Sequence, residues 1–191
     1  MLLELFAVRC SLFLKSDRRK DCTMINNTHM SQWIPPTAIA KTAGTWAPTL
    51  TSNVMSDVRT NADSNFTLMV PILVPSNANL RNGARLKSID VYYKIAGTAA
   101  EDFDTVELER MTLPTTQVIP SGATVAITLD AGHDTAGERA AVAGHVMTVT
   151  LDAPVWMTKA DTLCLTMIVN PAAGTAFTLY GARANFDYRV D

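Results

Sequence analysis

The sequence is poor in charge, in aromatic side chains and in cysteine. Charged residues make up 18% of the 191 residues, aromatic residues 7%, and the net charge is −2, whereas globular proteins average about 25% charged residues. Because basic residues are not in excess, nucleic acid is not predicted as a main ligand. A surface with so little charge is predicted to have part of its area covered by a partner.

Three cysteines, Cys10, Cys22 and Cys164, are odd in number and widely spaced, which argues against a disulfide framework and the common zinc motifs. Cys164 is predicted to pack within a sheet as a small apolar residue. A continuous apolar run of about 20 residues is also lacking, so no membrane span is predicted. Phosphate-binding glycine motifs and the nucleophile elbow are missing, and we predict no enzyme activity, no catalytic residue, no cofactor and no metal.

What the chain does have is a repeated alternation of apolar and polar residues. It is clearest in residues 145–152 and 162–170, whose apolar positions are Met147, Val149, Leu151, Leu163, Leu165, Met167 and Val169. Side chains on a strand point to opposite faces in turn, so this period of two predicts strands with one buried face. The polar positions are mainly Thr, which favours strands over helices. We predict that the two strands form a central hairpin joined by residues 153–161.

The same alternation predicts further strands along the chain. Inward rows are predicted at Phe66, Leu68, Val70, Ile72 and Val74; at Ile89, Val91, Tyr93 and Ile95; at Val106 and Leu108; at Ala123, Val125, Ile127 and Leu129; and at Ala182, Ala184, Phe186, Tyr188 and Val190. Pro71 places the first of these strands at a sheet edge, because proline cannot donate to a ladder. Changes of parity predict bulges near Arg110 and Gly181. The loop at residues 130–144 is predicted to hold one helical turn.

Together these strands predict an all-β fold, an antiparallel β-sandwich of seven or eight strands with a jelly-roll-like topology and an extended N-terminal arm. The alternative is an immunoglobulin-like sandwich, although its usual Cys…Trp…Cys arrangement is absent. We predict three segments: a non-core leader over residues 1–30, an extended arm over 31–65 and the sandwich over 66–191. Prolines exclude a long helix in the arm. Trp33 and Trp46 favour an arm that packs on its own domain or on a neighbouring subunit over a disordered leader.

Two polar clusters could be sites. The loop that contains His133, Asp134 and His145 also carries Asp130 and Glu138, and imidazole and carboxylate groups suit zinc or manganese. Their spacing matches no ligand motif, so solvated loop residues are the favoured interpretation.

The second cluster consists of Asp102, Asp104, Glu107 and Glu109, which resembles the paired acids of a glycoside hydrolase. Such enzymes need two carboxylates across a cleft, whereas Glu107 and Glu109 lie on the solvated face of one strand beside Arg110. Tyr92 and the Trp residues form a possible sugar-stacking platform, the minority interpretation for so few aromatic residues.

From Phe66 onward the chain resembles small jelly-roll virion proteins of tailed phages, namely capsid decoration, head–tail or tail accessory subunits. The resemblance rests on residues 86–93 (LKSIDVYY), residues 145–151 (HVMTVTL) and residues 181–188 (GARANFDY). It implies a non-enzymatic building block located in the virion, or otherwise soluble and cytoplasmic on synthesis. It also implies a homo-oligomer, commonly a trimer, with other virion proteins as partners. The alternative is a carbohydrate-binding β-sandwich module.

The candidate interface residues are Trp33 and Trp46 of the arm, together with Cys164 and Ile168. The last two are included because residues 162–170 carry apolar side chains on both faces. For the leader, three interpretations remain open: a short helix, an interfacial anchor with its basic flank, or translated sequence upstream of the true start. The third is favoured, since Met24 and Met30 both offer starts and the residues from Met30 resemble an ordinary virion-protein N-terminus.

Overall fold

The computed structural model describes residues 26–59, 64–73, 84–114, 116, 119–158 and 160–190. Its strands are β1 (Asn26–Ile34), β2 (Ala40–Lys41), β3 (Trp46–Thr51), β4 (Val54–Arg59), β5 (Phe66–Ile72), β6 (Ala84–Gly97), β7 (Asp102–Thr112), β8 (Ser121–Val125), β9 (Ile127–Leu129), β10 (Gly144–Met157), β11 (Asp161–Asn170) and β12 (Thr175–Val190). A short 3-10 helix (Pro36–Ala38) follows β1, and a short helix, α1 (Ala136–Ala140), precedes β10.

The strands form two antiparallel sheets. The larger has the order β3-β4-β12-β6-β10-β9, with β1 also paired to β12, and the smaller has the order β2-β5-β11-β7-β8. Eight strands are nested as pairs along the chain: β4 with β12, β5 with β11, β6 with β10, and β7 with β8. This nested ribbon rolls into two sheets of four, which is the jelly roll. The predicted antiparallel sandwich is confirmed, with four further strands added to the eight.

The core lies between the two sheets and is built from the predicted inward rows. Apolar residues at alternate positions of β5, β6, β10, β11 and β12 are almost all fully buried. Val74 lies outside the described residues, as do the side chains of Tyr188 and Val190. The helical turn, predicted at residues 138–143, is present two to three residues earlier as α1, where Thr135 and Glu138 form a reciprocal capping box.

The predicted central hairpin is wrong, although both of its inward faces are correct. β10 lies in the larger sheet and β11 in the smaller, so the strands face each other across the core and the connection between them changes sheets. Alternation identifies a buried face but does not identify the neighbouring strand. For the same reason the row from Ala123 to Leu129 is two strands, β8 in the smaller sheet and β9 in the larger.

The two predicted bulges have different outcomes. At Gly181 the register of β12 against β6 moves by one residue, as predicted. β7 instead runs in unbroken register against β11 through Arg110, and its irregularity lies between Asp102 and Thr105. Met111 is simply directed outward, with 41% of its surface exposed. At Pro71 the strand is an edge, because β2 pairs β5 only at residues 68–69.

Residues 31–59 are placed differently from the predicted arm. They form β1 to β4, and Ile34 and Ile39 are 4% and 2% exposed within the core. β12 has 16 residues, and β4 pairs with only the first part of it, so β1 completes the remaining edge. Of the predicted leader, residues 1–25 lie outside the described residues. Among the helices that the structure describes, none has the length and apolarity needed to cross a membrane.

Candidate functional site

β4 and β1 both pair with the same edge of β12, and the junction between them forms part of the outer face of the larger sheet. β4 pairs with residues 177–179 and β1 with residues 182–190. Gly181 lies between these stretches with a φ of +126°. A Cβ atom there would lie 2.6 Å from the carbonyl oxygen of Ile34 and 2.8 Å from Cζ2 of Trp33. Glycine at this bulge therefore lets the end of β1 lie directly against β12.

Beside this junction lies an open groove of about 560 Å³. Its lining includes the apolar and aromatic side chains of Trp33, Val54, Met55, Tyr92, Val146 and Tyr180 and the polar side chains of Asn53 and His145. Trp33, Val54, Met55 and Val146 are 52%, 50%, 48% and 53% exposed. Exposed apolar side chains gathered on one surface mark a site of binding or association.

The β3–β4 hairpin supplies one wall of the groove. It turns at Ser52 and Asn53, whose φ values are +51° and +65°. A two-residue turn with positive φ at both positions matches the twist of the strands, and Asn-Gly is its strongest sequence signal. Ser-Asn is a weaker signal, which explains why the sequence did not identify this hairpin or its contribution to the groove.

Trp33 and Tyr92 form the aromatic end of the groove. Their ring centroids are 5.6 Å apart, and the ring planes meet at 53°. The guanidinium carbon of Arg183 lies 5.9 Å from the Tyr92 centroid. Nε and Nη2 of Arg183 donate to Oδ2 of Asp90 at 3.0 and 2.8 Å. Two N–H groups of Arg183 thus converge on one carboxylate oxygen of Asp90, and this ion pair lies next to two aromatic rings.

Asp90 anchors this ion pair and is itself only 6% exposed. It also accepts hydrogen bonds from Thr148 Oγ1 at 2.9 Å and Asn185 Nδ2 at 3.1 Å. Burial alone would raise the pKa of Asp90, but the hydrogen bonds from Arg183, Asn185 and Thr148 outweigh burial and hold the pKa below its ordinary value. Asp90 is therefore a charged, fixed acceptor at neutral pH.

A chain of hydrogen bonds runs beneath the groove. Asp130 Oδ1 lies 2.8 Å from His133 Nδ1, His133 Nε2 lies 3.1 Å from His145 Nδ1, and His145 Nε2 lies 2.9 Å from the carbonyl oxygen of Ala141. Both histidines are 9% exposed. The ring of His145 stacks on Tyr93, with centroids 4.6 Å apart and planes 11° apart. The loop that contains α1 is thus tied to the floor of the groove.

The loop residues considered as metal ligands do not converge on one point. His133 and His145 use both ring nitrogens in hydrogen bonds, while Asp134 is exposed and interacts with Glu138. Within the described ranges, no group of three or more His, Cys, Asp or Glu residues is arranged to hold a metal ion.

The four predicted interface residues lie in three different places. Trp33 lies in the groove. Trp46 faces inward, with its ring centroid 5.3 Å from that of Phe66 and its Nε1 donating to the carbonyl oxygen of Ala43 at 2.9 Å. Cys164 and Ile168 lie on the outer face of β11 in the other sheet, half-buried and 37% exposed respectively.

Glu107 and Glu109 of the acidic cluster on β7 are exposed on the outer face of the smaller sheet. Arg110, predicted to accompany them, instead donates from Nε to Asp161 Oδ1 at 3.0 Å.

Comparison of the chain with protein-family models, curated proteins and solved structures found no match.

Proposed function

We propose that this protein is a non-enzymatic structural subunit of a phage-like virion, a capsid decoration or tail or head accessory subunit, and that it self-associates through the groove. The observation that carries the proposal is the exposed apolar lining of the groove. Removing apolar surface from water is favourable by about 25 cal/mol per Å², so a second apolar surface placed there stabilises an assembly. The jelly-roll topology supports the proposal because viral capsid domains use it.

A second copy of this chain is the occupant that we propose for the groove. The chain carries a net charge of only −2, and Arg183 beside the groove is already paired with Asp90. Two copies therefore meet with little electrostatic repulsion. In a cyclic trimer the groove meets a different patch of its neighbour. Three apolar side chains at one end of the smaller sheet offer such a patch: Met111, Leu113 and Ile119, which are 41%, 47% and 87% exposed.

Sedimentation over a range of concentrations tests the association and separates its two geometries. Val146→Lys places a charge in the groove, Ile119→Lys places one in the second patch, and Glu107→Lys is the matched control on an exposed charged position. A trimer predicts that both Val146→Lys and Ile119→Lys dissociate the assembly while Glu107→Lys does not. A two-fold dimer through the groove predicts dissociation by Val146→Lys alone. A wild-type monomer at tens of micromolar, with no assembly partner present, contradicts the proposal.

Gene neighbourhood tests the virion assignment separately. Capsid, portal or terminase genes beside the gene for this protein support it, whereas glycosidase genes favour the second candidate below.

The second candidate is a glycan-binding module, which the Trp33–Tyr92 pair favours. Two tilted aromatic rings beside the Arg183–Asp90 ion pair offer apolar faces for sugar rings and polar groups for hydroxyls, and lectin domains also use the jelly roll. Titration with soluble oligosaccharides tests it. Tyr92→Ala and Trp33→Ala should abolish binding, while Trp156→Ala, which removes a ring that is 38% exposed and outside the groove lining, should not. Lack of binding by the wild type removes this candidate.

A further inference from the structure

The buried histidine pair fixes the number of protons that its hydrogen-bond chain can hold. The carbonyl oxygen of Ala141 only accepts, so His145 carries a hydrogen on Nε2. A neutral His145 then accepts through Nδ1, and His133 must donate from Nε2. The Asp130 carboxylate also only accepts, so His133 carries a second hydrogen on Nδ1. With Asp130 as an anion, the chain is complete only when the two histidines together carry three ring hydrogens and one positive charge, which lies on His133 or, if Nδ1 of His145 carries the hydrogen between the rings, on His145.

A change of one proton in either direction breaks a contact. An added proton on His145 brings two N–H groups of two cations face to face across 3.1 Å. Loss of a proton from His133 leaves one of its ring nitrogens with a lone pair that faces a lone pair of Asp130 or of His145. We propose that Asp130, His133 and His145 form a proton-dependent latch that holds residues 130–144 against the floor of the groove and opens on acidification.

Charged and titratable groups of both signs surround the latch. Arg139, 5% exposed, donates to the carbonyl oxygens of Phe103, His133, Asp134 and Asp104, so a second cation already faces the loop. Tyr93, stacked on His145, donates from its hydroxyl to the carbonyl oxygen of Arg139 at 2.9 Å. Tyr180 lines the groove with His145, and the carboxylate of Glu138 is engaged by Thr135.

The latch also has a mechanical consequence for the groove. Asp130 Oδ2 accepts the backbone N–H of Thr148 at 2.6 Å, and Ile95 donates its N–H to the carbonyl oxygen of Ala143 at 2.9 Å. Because His145 lines the groove, opening of the latch changes the groove floor. Any effect of the latch on self-association through the groove rests on the proposed function, whereas the latch itself does not.

Nuclear magnetic resonance of the imidazole nitrogens tests the latch directly, since the chain has three histidines and His29, whose Nδ1 lies beside Asp187, is outside the latch. We expect His133 to carry hydrogen on Nδ1, His145 to carry hydrogen on Nε2, and the pair to share one further hydrogen between His133 Nε2 and His145 Nδ1. Two neutral histidines overturn the latch. Zinc added at one equivalent should leave these signals unchanged, and a stoichiometric shift of both histidines would assign the pair to a metal instead.

Hydrogen exchange tests the opening. Corrected for its intrinsic pH dependence, exchange of the amides of residues 130–144 should be about tenfold faster near pH 5 than near pH 7, the factor expected for the loss of one hydrogen bond. His145→Gln is the discriminating variant. It removes one of the two rings that take up protons, so the acid opening should disappear. Acid opening that persists in His145→Gln contradicts the latch.

Sedimentation of the same samples distinguishes failure of the latch from failure of the proposed function. A monomer at every pH with the expected histidine states removes the assembly and keeps the latch. An assembly at every pH with two neutral histidines does the reverse.

Discussion

The two sheets share one core, but their outer faces differ in how firmly the chain holds its polar groups. On the larger sheet Asp90 and Asp187 are 6% and 3% exposed, and each carboxylate accepts from an arginine, Arg183 and Arg85 respectively. On the smaller sheet Glu107 is exposed. β1 and the β3–β4 hairpin add strands to the larger sheet only. The larger sheet's outer face therefore combines covered charges with an apolar groove, whereas the smaller sheet carries exposed carboxylates and, at one end, the apolar patch of Met111, Leu113 and Ile119.

The difference shows that one residue alternation leads to two kinds of surface. The alternation of β6 and of β11 separates inner from outer positions equally well, yet an outer position on β6 lies under neighbouring side chains and one on β11 is wetter. What covers an outer position is decided by segments far away in sequence. The following substitutions break or sharpen this contrast.

Leu165→Ala and Thr166→Ala compare the two faces of the smaller sheet, and the first should have the largest effect. Leu165 is fully buried, and truncation of a buried leucine costs about 2–5 kcal/mol through lost transfer energy and the remaining cavity. Thr166 is half-buried on the outer face, where a substitution changes stability by about 0.5 kcal/mol or less. Thermal melting measures both. A larger loss for Thr166→Ala that depends on protein concentration would place Thr166 in a subunit interface.

Gly181→Ala tests the junction of β1 and β12 on the larger sheet. The positive φ costs about 1–3 kcal/mol for a residue with a Cβ atom, and the added methyl group also displaces Trp33, so we expect a loss of about 3 kcal/mol. Gly122→Ala in β8 is the control, since its Cβ atom would have Arg110 O as its nearest neighbour at 3.8 Å. Chemical denaturation compares the two variants. Equal losses would mean that close approach at Gly181 is unimportant.

Asp187→Ala and Glu107→Ala compare a covered carboxylate with an exposed one. Asp187 accepts from Arg85 Nη2 at 2.7 Å and lies 2.5 Å from His29 Nδ1. Asp187→Ala removes a hydrogen bond to a charged group, which is worth about 1.5–3 kcal/mol. The side chains of Arg85 and His29 that it leaves are 32% and 75% exposed, so we expect a loss of about 1.5 kcal/mol. Glu107→Ala should stay within about 0.5 kcal/mol. Similar free energies of unfolding for both variants would remove the distinction between the two outer faces.

The inner faces were predictable from sequence because burial imposes a period of two on each strand separately. Strand neighbours were not, because the same alternation suits β10 and β11 whether they pair in one sheet or face each other across the core. The groove was not predictable either, since Trp33, Val54, Tyr92 and Val146 come from four separate elements. His133 and His145 were identified as polar loop residues, but no spacing rule predicts that their rings share a hydrogen bond.

The last comparison concerns pH and Asp161 of the smaller sheet, which begins β11 on the same side of the strand as the buried Leu163. Asp161 accepts from the N–H and Oγ1 of Thr158 at 2.9 and 2.8 Å and from Thr112 Oγ1 at 3.0 Å. Burial alone would raise its pKa, but these bonds and those from Arg110 outweigh burial and lower the pKa to about 2. This carboxylate closes the turn that leads from β10 into β11.

Because the folded-state pKa of Asp161 lies below the unfolded value of about 3.9, its contribution is complete above about pH 4 and is lost as the pH falls toward 2. Asp161→Asn should therefore lower stability by about 1 kcal/mol at neutral pH, the difference between a charged and a neutral hydrogen bond, and flatten the fall in stability between pH 4 and about 2. Thr112→Val keeps the carboxylate and removes one donor, so it should retain most of that fall. Melting curves at closely spaced acidic pH values measure the slopes, and an unchanged slope in Asp161→Asn would show that other carboxylates control the acid transition.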